Sequence, residues 1–234
     1  MLRPTVLTHT PQPSGEIGRL DGIAVDIVHT PVLRGVDLVV RAGEVVGLVG
    51  ANGSGKSTLL RVLATLLVPA DGTGHVLGAA LGTPACAAVR PRIALVGHSP
   101  AFYPYLTLAE NLHFVARLIG VAGSEVDDAL EAVGLSGAAG RRADHCSQGM
   151  LRRAELARVL AVTPSLLLLD EPHAGLDADS RGLVDLVTDR VRGRGGGCVA
   201  VSHERDRLHC LADRVVEIVD GHTRPLRAGE KVPA

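Results

Sequence analysis

Tryptophan is absent from this 234-residue chain, and Phe and Tyr contribute two residues each. All four aromatics (Phe102, Tyr103, Tyr105 and Phe114) fall in one short segment, so no other part of the chain offers an aromatic face. Lysine is almost as scarce: Lys56 and Lys231 stand alone against a large arginine complement. Cys86, Cys146, Cys198 and Cys210 are widely spaced with no Cys-x-x-Cys, which excludes a disulfide framework and predicts four buried or semi-buried thiols in a reducing compartment. His145 beside Cys146 and His209 beside Cys210 lack metal-ligand spacing. No apolar run approaches the ~18 residues of a membrane-spanning helix, and no leader-like series opens the chain. The net charge of −1, with acids and bases interspersed, gives no basic face for nucleic acid. The chain therefore reads as cytosolic, with any membrane role requiring a partner.

What is present is a core's worth of aliphatic residues: the hydrophobic share is 46%. Residues 1–15 are Pro- and Thr-rich and read as a flexible tail, as do residues 223–234. From Ile23 to Val40, short alternations with Val36, Leu38 and Val40 on one face predict antiparallel strands. Val45–Val49, Ile93–Val96, Leu166–Leu169 and Cys198–Val201 are continuous apolar runs of the kind that parallel strands covered on both faces show. Helices are predicted over Lys56–Leu67, Thr107–Ile119, Glu125–Val133 (with a Ser124/Asp127 capping box and Gly134 as its stop) and Ser147–Ala161. The pattern is α/β with a helix-only insert at roughly 100–162.

Chemistry concentrates in a few motifs. Gly50-Ala51-Asn52-Gly53-Ser54-Gly55-Lys56-Ser57 matches G-x-x-x-x-G-K-[ST] between a predicted strand and a predicted helix. There the glycines let successive amides curl around phosphates, and the helix N-terminus favours negative charge. Lys56 is expected to bridge the phosphates, a task suited to a compact ammonium, and the Ser57 hydroxyl to ligate Mg²⁺. Leu166–Glu171 ends in two acids: Asp170 is placed to hold Mg²⁺, and Glu171 to act as base or water-positioning group. Ser147-Gln148-Gly149 heads a helix, as an N-cap and as an anion site alike.

Taken together, this P-loop, Ser147-x-Gly149 followed by Arg152 and Arg153, Asp170-Glu171-Pro172, Ala174-Gly175-Leu176-Asp177 and Ser202-His203 resemble an ABC-type ATPase subunit over residues 20–220. The resemblance implies a RecA-like P-loop NTPase core with an N-terminal antiparallel β subdomain and an inserted α-helical subdomain, spanning 16–222. It implies ATP and Mg²⁺ as ligands, with Thr58 joining Gly50, Asn52–Ser57 in the cradle. It also implies a dimer, expected as a homodimer, in which Ser147 and Gly149 act in trans on the nucleotide of the opposite P-loop. Asp177 would couple the two sites, and His203 would hold the γ-phosphate and the attacking water.

Three departures from the family pattern matter. The signature L-S-G-G-Q has Cys146, Gln148 and Met150 at its first, third and fifth places. An adenine-stacking aromatic is missing, with Ile27, Val28 and His29 in its region. His98 stands where Gln is usual; imidazole is a poor ligand for Mg²⁺, so His98 is expected to act through water, the bland reading being a drifted position. Gly97-His98-Ser99-Pro100, followed by Leu106–Leu112, is similar to the ATPase subunits of haem exporters of cytochrome c maturation. The implied role is to power export through a separate integral membrane subunit from the cytoplasmic face. The alternatives are a drug, lipid or antibiotic exporter, or a soluble non-transport ABC ATPase. The aromatic segment lies where such subunits receive their membrane partner: Phe102, Tyr103 and Tyr105 are expected as anchors, and Phe114, with Leu118, as core.

Overall fold

Alternation sets the architecture. In the computed structural model, which describes residues 15–226, strands β1 (Glu16–Ile27) and β2 (Thr30–Arg41) form an antiparallel hairpin. Strand β3 (Val45–Val49) leads through a loop into helix α1 (Lys56–Leu63), and β4 (Asp71–Val76), β5 (Ala79–Ala80), the short α2 (Cys86–Val89) and β6 (Ile93–Val96) follow. Helices α3 (Leu108–Ile119), α4 (Gly123–Ala132) and α5 (Gln148–Val162) come next without an intervening strand. Strand β7 (Leu166–Asp170), helix α6 (Gly182–Gly193), strand β8 (Gly197–Val201), helix α7 (Arg205–Leu211), and strands β9 (Arg214–Val219) and β10 (His222–Pro225) complete the described chain.

Two sheets result. One is antiparallel, in the order β2-β1-β4-β5; the other runs β10-β9-β3-β8-β7-β6, parallel except for β10. The apolar runs of β3, β7 and β8 are continuous because both faces of this sheet are covered. Val46, Leu48, Leu166, Leu168, Val199 and Val201 face a core shared with α1 and the antiparallel sheet. Their alternates Val45, Val49, Leu167, Leu169, Cys198 and Ala200 face α5, α6 and α7. Each valine or leucine among them, buried completely, contributes about 1.5–3 kcal/mol of transfer free energy. Helices α3, α4 and α5 close a third core of their own around Leu108, Leu112, Val126, Leu130 and Ala157.

Several boundaries differ from expectation, for local reasons. Helix α4 opens at Gly123 with Ala122 as N-cap and no side-chain cap, so the Ser124/Asp127 box is not formed. The capping box belongs instead to α3, where Thr107 and Glu110 satisfy one another's backbone amides. Helix α1 stops at Leu63, short of Leu67, and Thr65 turns left-handed. Residues 223–225, expected in a flexible tail, are strand. Asp220-Gly221, both at positive φ, closes a two-residue hairpin between β9 and β10, and the Thr223 hydroxyl accepts from Asp37 N–H at 2.9 Å and donates to Asp37 C=O at 2.7 Å. The expected tails at 1–14 and 227–234, and Lys231 with them, lie outside the described residues. Cys86 and Cys198 are buried and Cys146 partly so, but Cys210 is exposed.

Candidate functional site

Register brings the motifs to one edge. Val96 pairs with Leu169, Asp170 with Val201, and Leu48 with Val201, so the residues that follow β3, β6, β7 and β8 emerge side by side at the carboxyl ends of parallel strands. A cavity of about 430 Å³ there is lined by Val32, Asn52, Gly53, Gly55, Lys56, Ser57, Thr58, His98, Asp170, Glu171, Val201 and His203.

The loop after β3 owes its path to glycine. Gly50 (φ 150) and Gly55 (φ 102) are left-handed, and a Cβ would meet Ile218 C=O at 2.6 Å in the first case and the Leu33 Cδ2 at 2.6 Å in the second. Helix α1 begins at Gly55 with no side-chain cap, so its first amides are offered to the cavity. The Lys56 ammonium donates to Gly50 C=O and Ala51 C=O, each at 2.8 Å. Burial lowers its pKa, while Glu171 and Asp170 pull it back up. The buried Ser54 hydroxyl has no hydrogen-bond partner. A ring of amides, one ammonium and an unpartnered hydroxyl fit a polyphosphate. The Ser57 hydroxyl and the Asp170 carboxylate, hard oxygen donors in the same cavity, fit Mg²⁺.

Glu171 turns the chain sharply at φ 53, a conformation that non-glycine residues adopt rarely. Its N–H donates to Val201 C=O at 3.0 Å, one Oε accepts from the His203 N–H at 3.2 Å, and the other is buried without a hydrogen-bond partner. The His203 Nε2 lies 3.6 Å from that second oxygen. His98 reaches the same cavity from the loop after β6. Two residues after Glu171, His173 is buried with its Nδ1 unpartnered, and burial lowers its pKa.

Ser147 and Gly149 are elsewhere. They line neither this cavity nor the neighbouring one. Ser147 caps α5 by accepting from Met150 N–H at 3.2 Å, and a Cβ at Gly149 would lie 2.9 Å from Gly175 C=O. Asp177 is exposed and caps the following turn by accepting from the Ser180 N–H at 2.8 Å; the Ser180 hydroxyl first, and this amide second, lower its pKa.

The aromatic segment divides. Phe102, expected as an anchor, is partly buried and packs against the helical core. Tyr103 and Tyr105 are exposed, the latter under the Arg142 guanidinium at 5.2 Å. Phe114 is not core: it is 42% exposed and meets the Tyr103 ring edge-on at 5.4 Å, while Leu118 is 71% exposed. Asn111, buried, fixes the loop by accepting from Tyr103 N–H and donating to the carbonyls of Tyr103, Leu106 and Thr107.

Sequence reasoning missed a second cavity of about 710 Å³, lined by Thr30, Pro31, Val32, Arg34, Ala51–Ser54 and 217–221. Val32, Asn52 and Gly53 line both cavities, which therefore adjoin. It contains no aromatic side chain, and no sequence signal marks Val32. Among the described residues no helix is long and apolar enough to cross a membrane, and no three His, Cys, Asp or Glu side chains converge as a metal site.

Known proteins resemble this chain in sequence and fold. The profile described as "ABC transporter" matches residues 33–174. The methionine import ATP-binding protein MetN of Caulobacter vibrioides is 37% identical over 210 residues, covering 86% of this chain and 63% of its own length. The cytochrome c biogenesis ATP-binding export protein CcmA of Cupriavidus necator is 40% identical over 176 residues, covering 74% of this chain and 76% of its own. An importer's and an exporter's protein thus match comparably, and neither cargo is singled out. A solved structure of an ATP-binding subunit of an ABC transporter superposes with a TM-score of 0.83 at 25% identity, covering 90% of each chain. The chain belongs to the ABC transporter family and has the fold of its ATP-binding subunit, with a P-loop NTPase core.

Proposed function

We propose that this chain dimerises around two MgATP to drive export through a separate integral membrane subunit at the cytoplasmic face, with haem for cytochrome c maturation as the leading cargo. The observation that supports the hydrolytic reading most is the meeting of Lys56, Ser57, His98, Asp170, Glu171 and His203 in one cavity. In this reading the P-loop amides from Gly50 to Thr58 and the Lys56 ammonium hold the β- and γ-phosphates, displacing the lysine from its two carbonyls. Mg²⁺, held by Ser57 and Asp170, would neutralise developing phosphate charge. The unpartnered Glu171 oxygen orients the attacking water and takes its proton. His203 steadies the γ-phosphate, and His98 contacts that water network rather than the metal. Ser147 and Gly149 of one copy meet the nucleotide of the other, and Asp177 lies between the two sites.

Export of haem is supported by the Gly-His-x-Pro segment and by the 40% identity to the cytochrome c biogenesis protein. Docking of the membrane subunit is assigned to an exposed aromatic patch formed by Tyr103 and Tyr105, on the loop that Asn111 ties down, and by Phe114 on α3. Two experiments test the reading. Glu171→Gln should slow ATP turnover at least ~10²-fold while ATP affinity stays near the parent's; near-normal turnover would remove Glu171 from its role. Affinity purification from native membranes should recover an integral protein of cytochrome maturation, and a partner of another kind would end the haem assignment while leaving the ATPase intact.

A further inference from the structure

We propose that Arg152 is a positioning residue for hydrolysis, a buried guanidinium on α5 that holds the His98 loop by its backbone in register with the nucleotide cavity. The inference rests on the role given above to His98.

Arg152 is 2% exposed, beside a Glu155 that is 1% exposed. Its Nη1 donates to Gly97 C=O at 2.8 Å and its Nη2 to His98 C=O at 2.9 Å. Its Nε reaches Ala174 C=O, in the loop after β7, at 3.4 Å. Nη1 also meets the Glu155 carboxylate at 3.0 Å, and the other Glu155 oxygen accepts from Ala101 N–H at 3.3 Å. Both members of the ion pair therefore direct hydrogen bonds at one segment, residues 97–101. Burial pushes the Glu155 carboxyl up, against the pull of Arg152 and Arg158.

A buried ion pair is a poor way to gain stability, since two charges leave water and an apolar pair of equal volume often serves as well. What the pair gives is geometry. A planar guanidinium fork holds two adjacent carbonyls and a third from another loop in one fixed geometry, whereas a lysine ammonium is a rotating point donor on a flexible stem and fixes them less rigidly. Three segments meet at this one group: the loop that carries His98 into the cavity, the Ala174–Asp177 loop, and the first turns of the helix that Ser147 caps. The close approach of Gly149 to Gly175 C=O locks the third against the second. Any displacement of the α5 tip relative to the sheet is thus felt at the His98 backbone.

The test is a double-mutant cycle on the full chain. Arg152→Met and Arg152→Lys are made in the parent and in His98→Ala, and kcat, affinity for a fluorescent ATP analogue and melting temperature are measured for each. Both substitutions should lower kcat by about tenfold or more, the order expected when a catalytic group is misplaced by a fraction of an ångström, with nucleotide affinity within about twofold of the parent's. In the His98→Ala chain the same substitutions should cost less than about twofold. An equal loss in both backgrounds, or a fall in ATP affinity that matches the loss in kcat, overturns the proposal. If Arg152→Met does not fold, Arg152→Lys supplies the cycle alone. A His98→Ala chain with normal turnover removes the role of His98, and this proposal with it. A slow His98→Ala chain beside a normal Arg152→Met chain removes only the proposal.

Discussion

Two helix N-termini in this molecule have the same dipole chemistry and opposite surroundings. Helix α1 begins at a left-handed glycine, has no side-chain cap, and opens into a cavity lined by its own chain's lysine, carboxylates and histidines. Helix α5 begins at Ser147, whose hydroxyl already takes the Met150 amide, and its tip lines neither nucleotide-sized cavity of its own chain. In the proposed account the first is a complete anion site, and the second, a capped, glycine-bearing helix end at the surface, is half of one. Under the proposed account the missing half is the α1 cavity of a second copy, so the two termini differ because they belong to one composite site.

The largest effect should come from damaging the α5 tip. Ser147→Arg is expected to lower turnover by about 10²–10³-fold, as the loss of a transition-state donor does, and to abolish cooperativity in steady-state ATPase assays. Nucleotide binding to the single chain should be unchanged; a loss of binding equal to the loss of turnover would place Ser147 in its own chain's site. Lys56→Ala should act on the other terminus, weakening ATP binding by about 10–100-fold through the loss of charged hydrogen bonds worth roughly 1.5–3 kcal/mol, as read by equilibrium titration. Unchanged affinity would detach Lys56 from the cradle.

A smaller contrast concerns the base. The cavity beyond Val32 lacks any aromatic, and aromatic stacking is worth about 1–3 kcal/mol per base. GTP should therefore be hydrolysed with a kcat/KM within about tenfold of that of ATP. A hundredfold preference for ATP in competition assays would show that Arg34, Asn52 or the backbone there reads the base edge.

The smallest effect is on stability. Burial lowers the His173 pKa, with Arg207 and Arg181 adding to it and Glu204 and Asp185 opposing it. Folded His173 thus stays neutral where the unfolded chain would take up a proton. Its contribution to stability is complete above about pH 6.5, the unperturbed value, and is lost as pH falls from there toward the lowered value. Chemical denaturation of His173→Leu should show a shallower decline over that window than the parent; identical slopes would leave His173 out of the acid sensitivity.

The strands that carry the site were legible because burial on both faces writes itself as unbroken apolar runs. Val45–Val49 and Leu166–Leu169 needed no tertiary knowledge. Lys56, Asp170 and Glu171 were legible for a different reason, since phosphate chemistry demands fixed residue types at fixed spacing. The hidden parts were those whose meaning is set by packing. Phe114 sits at a helical period that suits the core, yet the Tyr103 ring covers only its edge and leaves it exposed. Arg152 reads in the sequence as one more charged helix residue, although it is among the most buried side chains in the molecule. The Thr107/Glu110 box and the Asp220-Gly221 hairpin carried ordinary local signals.

Sedimentation of the Glu171→Gln chain with and without MgATP, beside the Glu171→Gln/Ser147→Arg chain, tests the composite site most directly. The account predicts a dimer for the first only when MgATP is present, and a nucleotide-bound monomer for the second. A Glu171→Gln chain that holds MgATP as a monomer, or a double variant that dimerises equally well, would contradict it.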